Sequence, residues 1–172
     1  MTQSINRLPA LTLWRPWPWA IMRGQKDVEN RNWAPPKSLL GRYLAIHAGK
    51  RFDRSAVDFA SRAAGVPCPS DESDHPLGVI GIVRVLGWVH YTGNWHLACR
   101  DDETGESVES RARRALSSSW FVGYYGWMLG DPIEIESPIP CNGRQGLWSL
   151  EQEVFEQMLC DQRVRKALEG QR

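Results

Sequence analysis

The chain has no run of about 18 apolar residues, the length that lets a helix cross a bilayer. Its first residues lack the apolar centre of a secretory signal. Its four cysteines (Cys68, Cys99, Cys141, Cys160) are widely scattered and form no C-x-x-C pair, which argues against both a zinc site and a disulfide framework. Free thiols fit a reducing compartment, so the expected location is cytoplasmic. No cofactor and no metal are expected. Internal repeats and low-complexity tracts are missing, and so is the β-α-β alternation that builds a parallel sheet. A net charge of only +1 excludes a uniformly basic surface.

What is abundant is tryptophan, nine in 172 residues. Buried core is the ordinary fate of each, but this many leaves aromatic surface for a ligand. The near-neutral charge hides an asymmetry. Residues 1–62 hold 11 Lys/Arg against 4 Asp/Glu (+7), whereas residues 63–172 hold 10 against 16 (−6). A basic first third can face phosphate without a high overall isoelectric point.

The densest stretch is residues 11–33. It places Trp14, Trp17, Trp19 and Trp33 beside Lys26, Asp27, Glu29 and Arg31. Leu11 and Leu13 alternate with polar neighbours, as in a strand. Pro16 and Pro18 suit the first turn of a short helix, where proline has no needed N–H to lose. Gly24 is expected to close that helix in a left-handed cap. A second strand then follows to Trp33. In an extended segment Glu29 and Arg31 share a side while Lys26 faces away, unless the turn at Gly24 continues through it. Trp17 is the expected cleft residue, with the other three tryptophans in the core.

Further along, Gly41–Ala48 reads as a strand with Tyr43, Ala45 and His47 on one face and Leu44, Ile46 and Ala48 on the other. Asp53 or Ser55 caps a helix to Ala64. Leu77–Tyr91 is the most β-like run, punctuated by Gly78, Gly81 and Gly87 as bulges. Residues 92–119 are polar, with a short helix ending near Arg111, Arg113 and Arg114. Trp120–Leu129 reads as an aromatic strand and Ile133–Ile135 as another. Ser149 with Gln152 matches a capping box opening one last helix to Gly170. Strands outnumber helices, so the expected fold is α+β: a small mixed β-barrel with flanking helices, residues 8–150, and a C-terminal helix, residues 151–172.

Three blocks in order carry a family resemblance. They are Leu11–Trp33, with Gly24-x-Lys26-x-x-Glu29-x-Arg31-x-Trp33; Gly41–Lys50; and Leu77–Gly81 with Trp127 and Gly143–Trp148. Together they resemble the ASCH (activating signal cointegrator homology) domains of the PUA-like superfamily. The resemblance implies a small β-barrel with a cleft that binds nucleic acid, RNA or a modified nucleotide, with DNA as the alternative polymer. Related members carry Gly-Arg where this chain has Gly123-Tyr124, a phenol in place of a guanidinium. Some ASCH-like proteins hydrolyse an acylated cytidine through a Lys and a Thr three residues on. Here that position is Glu29, so the nucleophilic hydroxyl is absent, although a carboxylate can still serve as a general base.

The expected site therefore comprises Lys26 and Glu29 as the chemical pair. Trp17, Arg31, Trp33, His47, Ser119 and Tyr124 are the expected substrate contacts. Lys26 and Arg31 would supply charge-assisted hydrogen bonds to a stacked base or its phosphate. The alternatives are a small hydrolase acting on RNA or an acylated nucleoside with Lys26 as base, and a protein-interaction module using the amphipathic helix over residues 150–169.

Overall fold

The computed structural model describes residues 8–91, 95–99 and 106–171. In chain order the elements are β1 (Pro9–Arg15), α1 (Trp17–Met22), β2 (Val28–Arg31), β3 (Arg42–Phe52), α2 (Val57–Ala64), β4 (Gly78–Tyr91) and β5 (Trp95–Cys99). They continue with α3 (Val108–Ser117), β6 (Tyr125–Ile139), β7 (Leu147–Ser149), α4 (Gln152–Met158) and α5 (Gln162–Glu169).

The strands form one mixed sheet in the order β2-β6-β4-β3-β1-β7, with β5 continuing the pairing along the second half of β4. Among the described residues only β1 and β3 run parallel (Ala10 beside Ala45, Leu13 beside Ala48); the other pairs are antiparallel. The expected barrel does not close. Strands β2 and β7, four and three residues long, end the sheet on opposite sides and do not pair with each other. Edge strands this short leave little unpaired backbone to protect, so closure is not needed to shield it.

Strand alternation divides the core into two faces. On one, Tyr43, Ala45, Val79 and Ile82 meet Val154, Phe155, Met158, Val164 and Leu168 of α4 and α5. On the other, Leu44, Ile46 and Ala48 meet Leu11, Leu13, Ile21, Val83 and Trp127. The apolar side of the C-terminal helices is thus spent on the sheet, which leaves the interaction-module reading without the face it needs. A third cluster joins α1, α2 and α3 through Ala20, Ala60, Ala112, Ala115 and Trp120.

Several local expectations change. The last helix is two helices: α4 starts after Glu151 with no side-chain cap, and Asp161 restarts the chain as α5 by accepting from Arg163 N at 2.9 Å. The Ser149 capping box does not form. The aromatic run Trp120–Leu129 becomes strand only from Tyr125, where it merges with the next strand into β6. Its first residues are pulled into a turn because Trp120 sinks among the helices. Strand β4 shifts register against β6 at Val79/Gly81 and Val85/Gly87, beside expected glycines, and also at Ile82/Arg84, where no glycine marks the bend. A Cβ at Gly78 would lie 2.3 Å from Ile139 O, so only glycine lets the strands approach there.

Candidate functional site

The chain leaves β1 through a cis Arg15–Pro16 peptide and enters α1, whose second residue is Pro18. Its end differs from expectation. Gly24 is not left-handed; the positive φ belongs to Gln25, at 55°. Gly24 is needed for space instead, as a Cβ there would lie 2.9 Å from Ala20 O. Left-handed Gln25 swings the chain so that Lys26 N donates back to Ala20 O at 2.9 Å. Such a conformation in a non-glycine residue costs roughly 1–2 kcal/mol. That turn brings Lys26 to the same side as Glu29, which an extended strand alone would not do.

Lys26 is 5% exposed and Glu29 7%. Lys26 Nζ donates to Glu29 Oε2 at 2.9 Å and to the carbonyl of Val28. An ammonium has three donors, so these two bonds do not exhaust it. Nζ also sits 5.9 Å from the centroid of Trp17 and 5.9 Å from that of Trp120, within reach of both π faces. Phe59, from α2, packs edge-on to both indoles, at 66° and 82°. Its ring therefore fixes the orientation of the other two. Trp17, Lys26, Glu29, Asn30, Phe59, Trp120 and Val122 line a cavity of about 200 Å³.

The wall carrying Trp120 is tied to β2 by side-chain bonds. Asn30 Nδ2 donates to Trp120 O at 2.7 Å, and Asn30 Oδ1 accepts from Val122 N at 2.9 Å. Ser118 Oγ donates to Asp27 and accepts from Trp120 N at 3.1 Å. Nothing in the sequence pattern singled out Asn30, Phe59 or Trp120 as site residues. They belong to three separate segments, and only an Asn beside the Lys-Glu pair offered a local hint.

The other expected contacts lie elsewhere. Arg31 stands at the rim of the pair: Nη1 is 3.9 Å from Glu29 Oε1, and its guanidinium carbon is 5.6 Å from the Trp33 ring. Trp33 packs edge-on against Trp127 at 4.7 Å and accepts from Trp127 Nε1 at 2.8 Å through its carbonyl. It walls the core rather than the cavity. His47 is buried on β3, where Nε2 meets Cys141 O at 3.1 Å and the ring packs against Trp148. Burial pushes its pKa down from the ordinary value. Ser119 and Tyr124 are exposed, Tyr124 by 74%, and neither lines the cavity. The neighbouring Tyr125 stacks on His90 at 3.8 Å instead. In α3, Arg111 is buried while Arg113 and Arg114 are exposed.

Among the described residues, no group of three or more His, Cys, Asp or Glu is placed to hold a metal ion, and no helix is long and apolar enough to cross a membrane. The arrangement offers a paired cation and carboxylate at the floor of a small aromatic box. It can stack a flat ring, donate to a ring oxygen or nitrogen, and accept from an exocyclic amine.

The open mixed sheet with this pocket at one end defines an α+β domain of the kind that the sequence blocks resemble. The ASCH domain family model matches residues 11–138, and the chain belongs to that family, which is generally associated with RNA binding. Among solved structures it is similar to a mutant form of the ASCH protein of Zymomonas mobilis, with 17% identity and a TM-score of 0.47 over 89% of this chain and 96% of that one. No curated protein matches.

Proposed function

We propose that the protein binds single-stranded RNA, or a modified nucleotide, by taking one unstacked base into the Trp17–Phe59–Trp120 box. The observation that carries this reading is Lys26, a buried ammonium in an aromatic cavity, with a donor left over after its bonds to Glu29 and Val28. The unspent N–H and the two indoles around the ammonium are what a ligand acceptor and a flat ring would meet there. The ammonium donates to a base oxygen or ring nitrogen, and Glu29 accepts from an adjacent amine. At about 200 Å³ the cavity suits one base and not a duplex, so the polymer must be single-stranded or open locally. Each base stacked on an aromatic side chain contributes about 1–3 kcal/mol.

Tryptophan fluorescence gives the test directly. Short single-stranded RNA and DNA and single nucleosides, plain and base-modified, are titrated into wild type, Lys26→Met and Trp17→Ala. Quenching by wild type, lost in both variants, is the expected result. Equal quenching in all three, or none in wild type at low salt, refutes the reading.

A second reading uses the same pocket for hydrolysis. Nζ of Lys26 and Oε2 of Glu29 stand 2.9 Å apart in it, and in this reading one of the pair acts as base toward water. It differs in predicting product: labelled RNA or an acylated nucleoside is consumed by wild type and left intact by Lys26→Met.

A further inference from the structure

Of the four tryptophans in residues 11–33, Trp14 is the one on the surface, 47% exposed at the end of β1. The Arg51 guanidinium lies over its ring, with the carbon 3.5 Å from the centroid. At that distance the two planes are in face-to-face contact, which keeps the five N–H donors at the edge of the guanidinium free to reach outward. Arg51 is exposed, and among the described residues it forms no ion pair.

The end of β3 is rich in cations. Lys50 and Arg51 lie near the end of β3 and Arg54 follows just beyond Asp53; Arg54 stands 3.8 Å from Glu72, which leaves Arg51 as the cation beside the ring without an ion pair among the described residues. The Asp53 carboxylate is already used, accepting from Ser55 N at 3.1 Å and from Ser55 Oγ at 2.6 Å. Position matters equally. Trp14 and Arg51 sit at the C-terminal ends of the parallel strands β1 and β3, and α1 and α2 set out just beyond them carrying Trp17 and Phe59 into the aromatic box. Trp14 is three residues from Trp17, at most about 11 Å of chain.

We propose that Trp14 and Arg51 form a second contact for the same ligand strand. It is a shelf beside the box on which the nucleotide next to the captured base stacks against the outer face of the Arg51–Trp14 pair, while the N–H edge of Arg51 meets a phosphate. This rests on the single-stranded nucleic-acid reading above and extends it from one base to a track. An aromatic face beside an unpaired cation is the combination that single strands use without regard to sequence. The box would select the base, and the shelf would supply length-dependent and salt-dependent affinity.

The test compares a mononucleotide with a fluorescein-labelled single-stranded RNA oligomer, each titrated into wild type, Trp14→Ala and Arg51→Gln over a range of salt. Both substitutions are at exposed positions, and each probes the shelf independently of the other. Unchanged mononucleotide binding, with oligomer affinity reduced about tenfold in either variant, is expected. Arg51→Gln should also flatten the slope of log affinity against log salt by about 0.7, the share of one phosphate contact. If wild type binds the oligomer and both variants match it in affinity and slope, the shelf is refuted while the box stands. If wild type binds neither ligand, both fall together. If only the oligomer binds, and binding depends on Trp14 and Arg51, the shelf stands and the box is wrong.

Discussion

Two buried cations eleven residues apart meet opposite fates. Arg15, 4% exposed, donates to the carbonyls of Gly49 (3.0 Å), Glu72 (2.9 Å), His75 (3.3 Å) and Lys50, and its Nη2 also reaches the Glu72 carboxylate. It ties the end of β3 to the loop before β4, with its guanidinium carbon 5.8 Å from the centroid of the Phe52 ring. Lys26 is as deeply buried but meets one carbonyl and one carboxylate, with two indoles around it. Burial of charge alone therefore does not mark a site. What separates the two is whether the fold itself satisfies the donors, because an interior cation is tolerated only when something completes its hydrogen bonding.

The sharpest way to test that contrast is to remove each cation in turn. Arg15→Ala leaves the carbonyls of Gly49 and His75 buried without their donor, while half-exposed Glu72 keeps Arg54 at 3.8 Å, and should cost about 3–5 kcal/mol in urea unfolding. It should leave RNA affinity unchanged in whatever fraction stays folded. Lys26→Met should reverse the pattern. Glu29 keeps Arg31 near it at 3.9 Å, so the stability loss is held to about 1–3 kcal/mol. Loss of a charge-assisted bond to the base should weaken RNA binding by roughly tenfold to a hundredfold. Equal stability losses, or binding defects in both, would erase the distinction.

A smaller effect is expected at the wall of the box. Asn30→Ala deletes the two bonds that pin Trp120 and Val122 to β2, about 1–3 kcal/mol together. It touches neither cation, so RNA affinity should fall only several-fold, through loosening of Trp120. Asn30→Asp should restore part of this loss, since its carboxylate can still accept from Val122 N. A variant that binds as tightly as wild type would mean that the wall does not need to be held in place.

How much of this could be read in the chain depends on the range of the interaction. The Trp-Arg-Pro-Trp-Pro-Trp run, the alternation in β3 and the glycine bends of β4 are local signals, and each element formed where its pattern lay. The Lys26–Glu29 pair was legible as a motif but not as a contact, because contact required positive φ at Gln25, a residue with no glycine-like signature. Trp120 and Phe59 reach the box from α3's far side and from α2, so their convergence is a tertiary fact without a sequence period. The barrel expectation failed on a global property: whether edge strands meet is decided by strand length and sheet curl, not by any one segment's alternation. His47 followed its strand pattern onto the Tyr43 and Ala45 side of β3, and that face looks away from the box.

His47 offers the third case, a buried titratable group that is neither saturated like Arg15 nor aimed at the cavity like Lys26. Its Nε2 meets Cys141 O, while Nδ1 is buried without a hydrogen-bond partner. Gly143 closes over that edge of the ring: a Cβ there would come within 2.6 Å of Nδ1. A second proton would place an N–H against backbone that offers it no acceptor. Burial accordingly lowers the folded-state pKa below the ordinary histidine value. The unfolded chain then binds the proton more readily than the folded one. The stability owed to neutral His47 is thus complete above about pH 6.5, and it is lost as pH falls from there toward the depressed folded value. Urea midpoints above and below that pH should show the decline in wild type and a smaller one in His47→Gln, with RNA binding the same in both at neutral pH. A decline of equal size in the variant would assign the pH dependence to other groups. A binding defect in the variant at neutral pH would instead make His47 part of the ligand surface, against its position on the far face of β3.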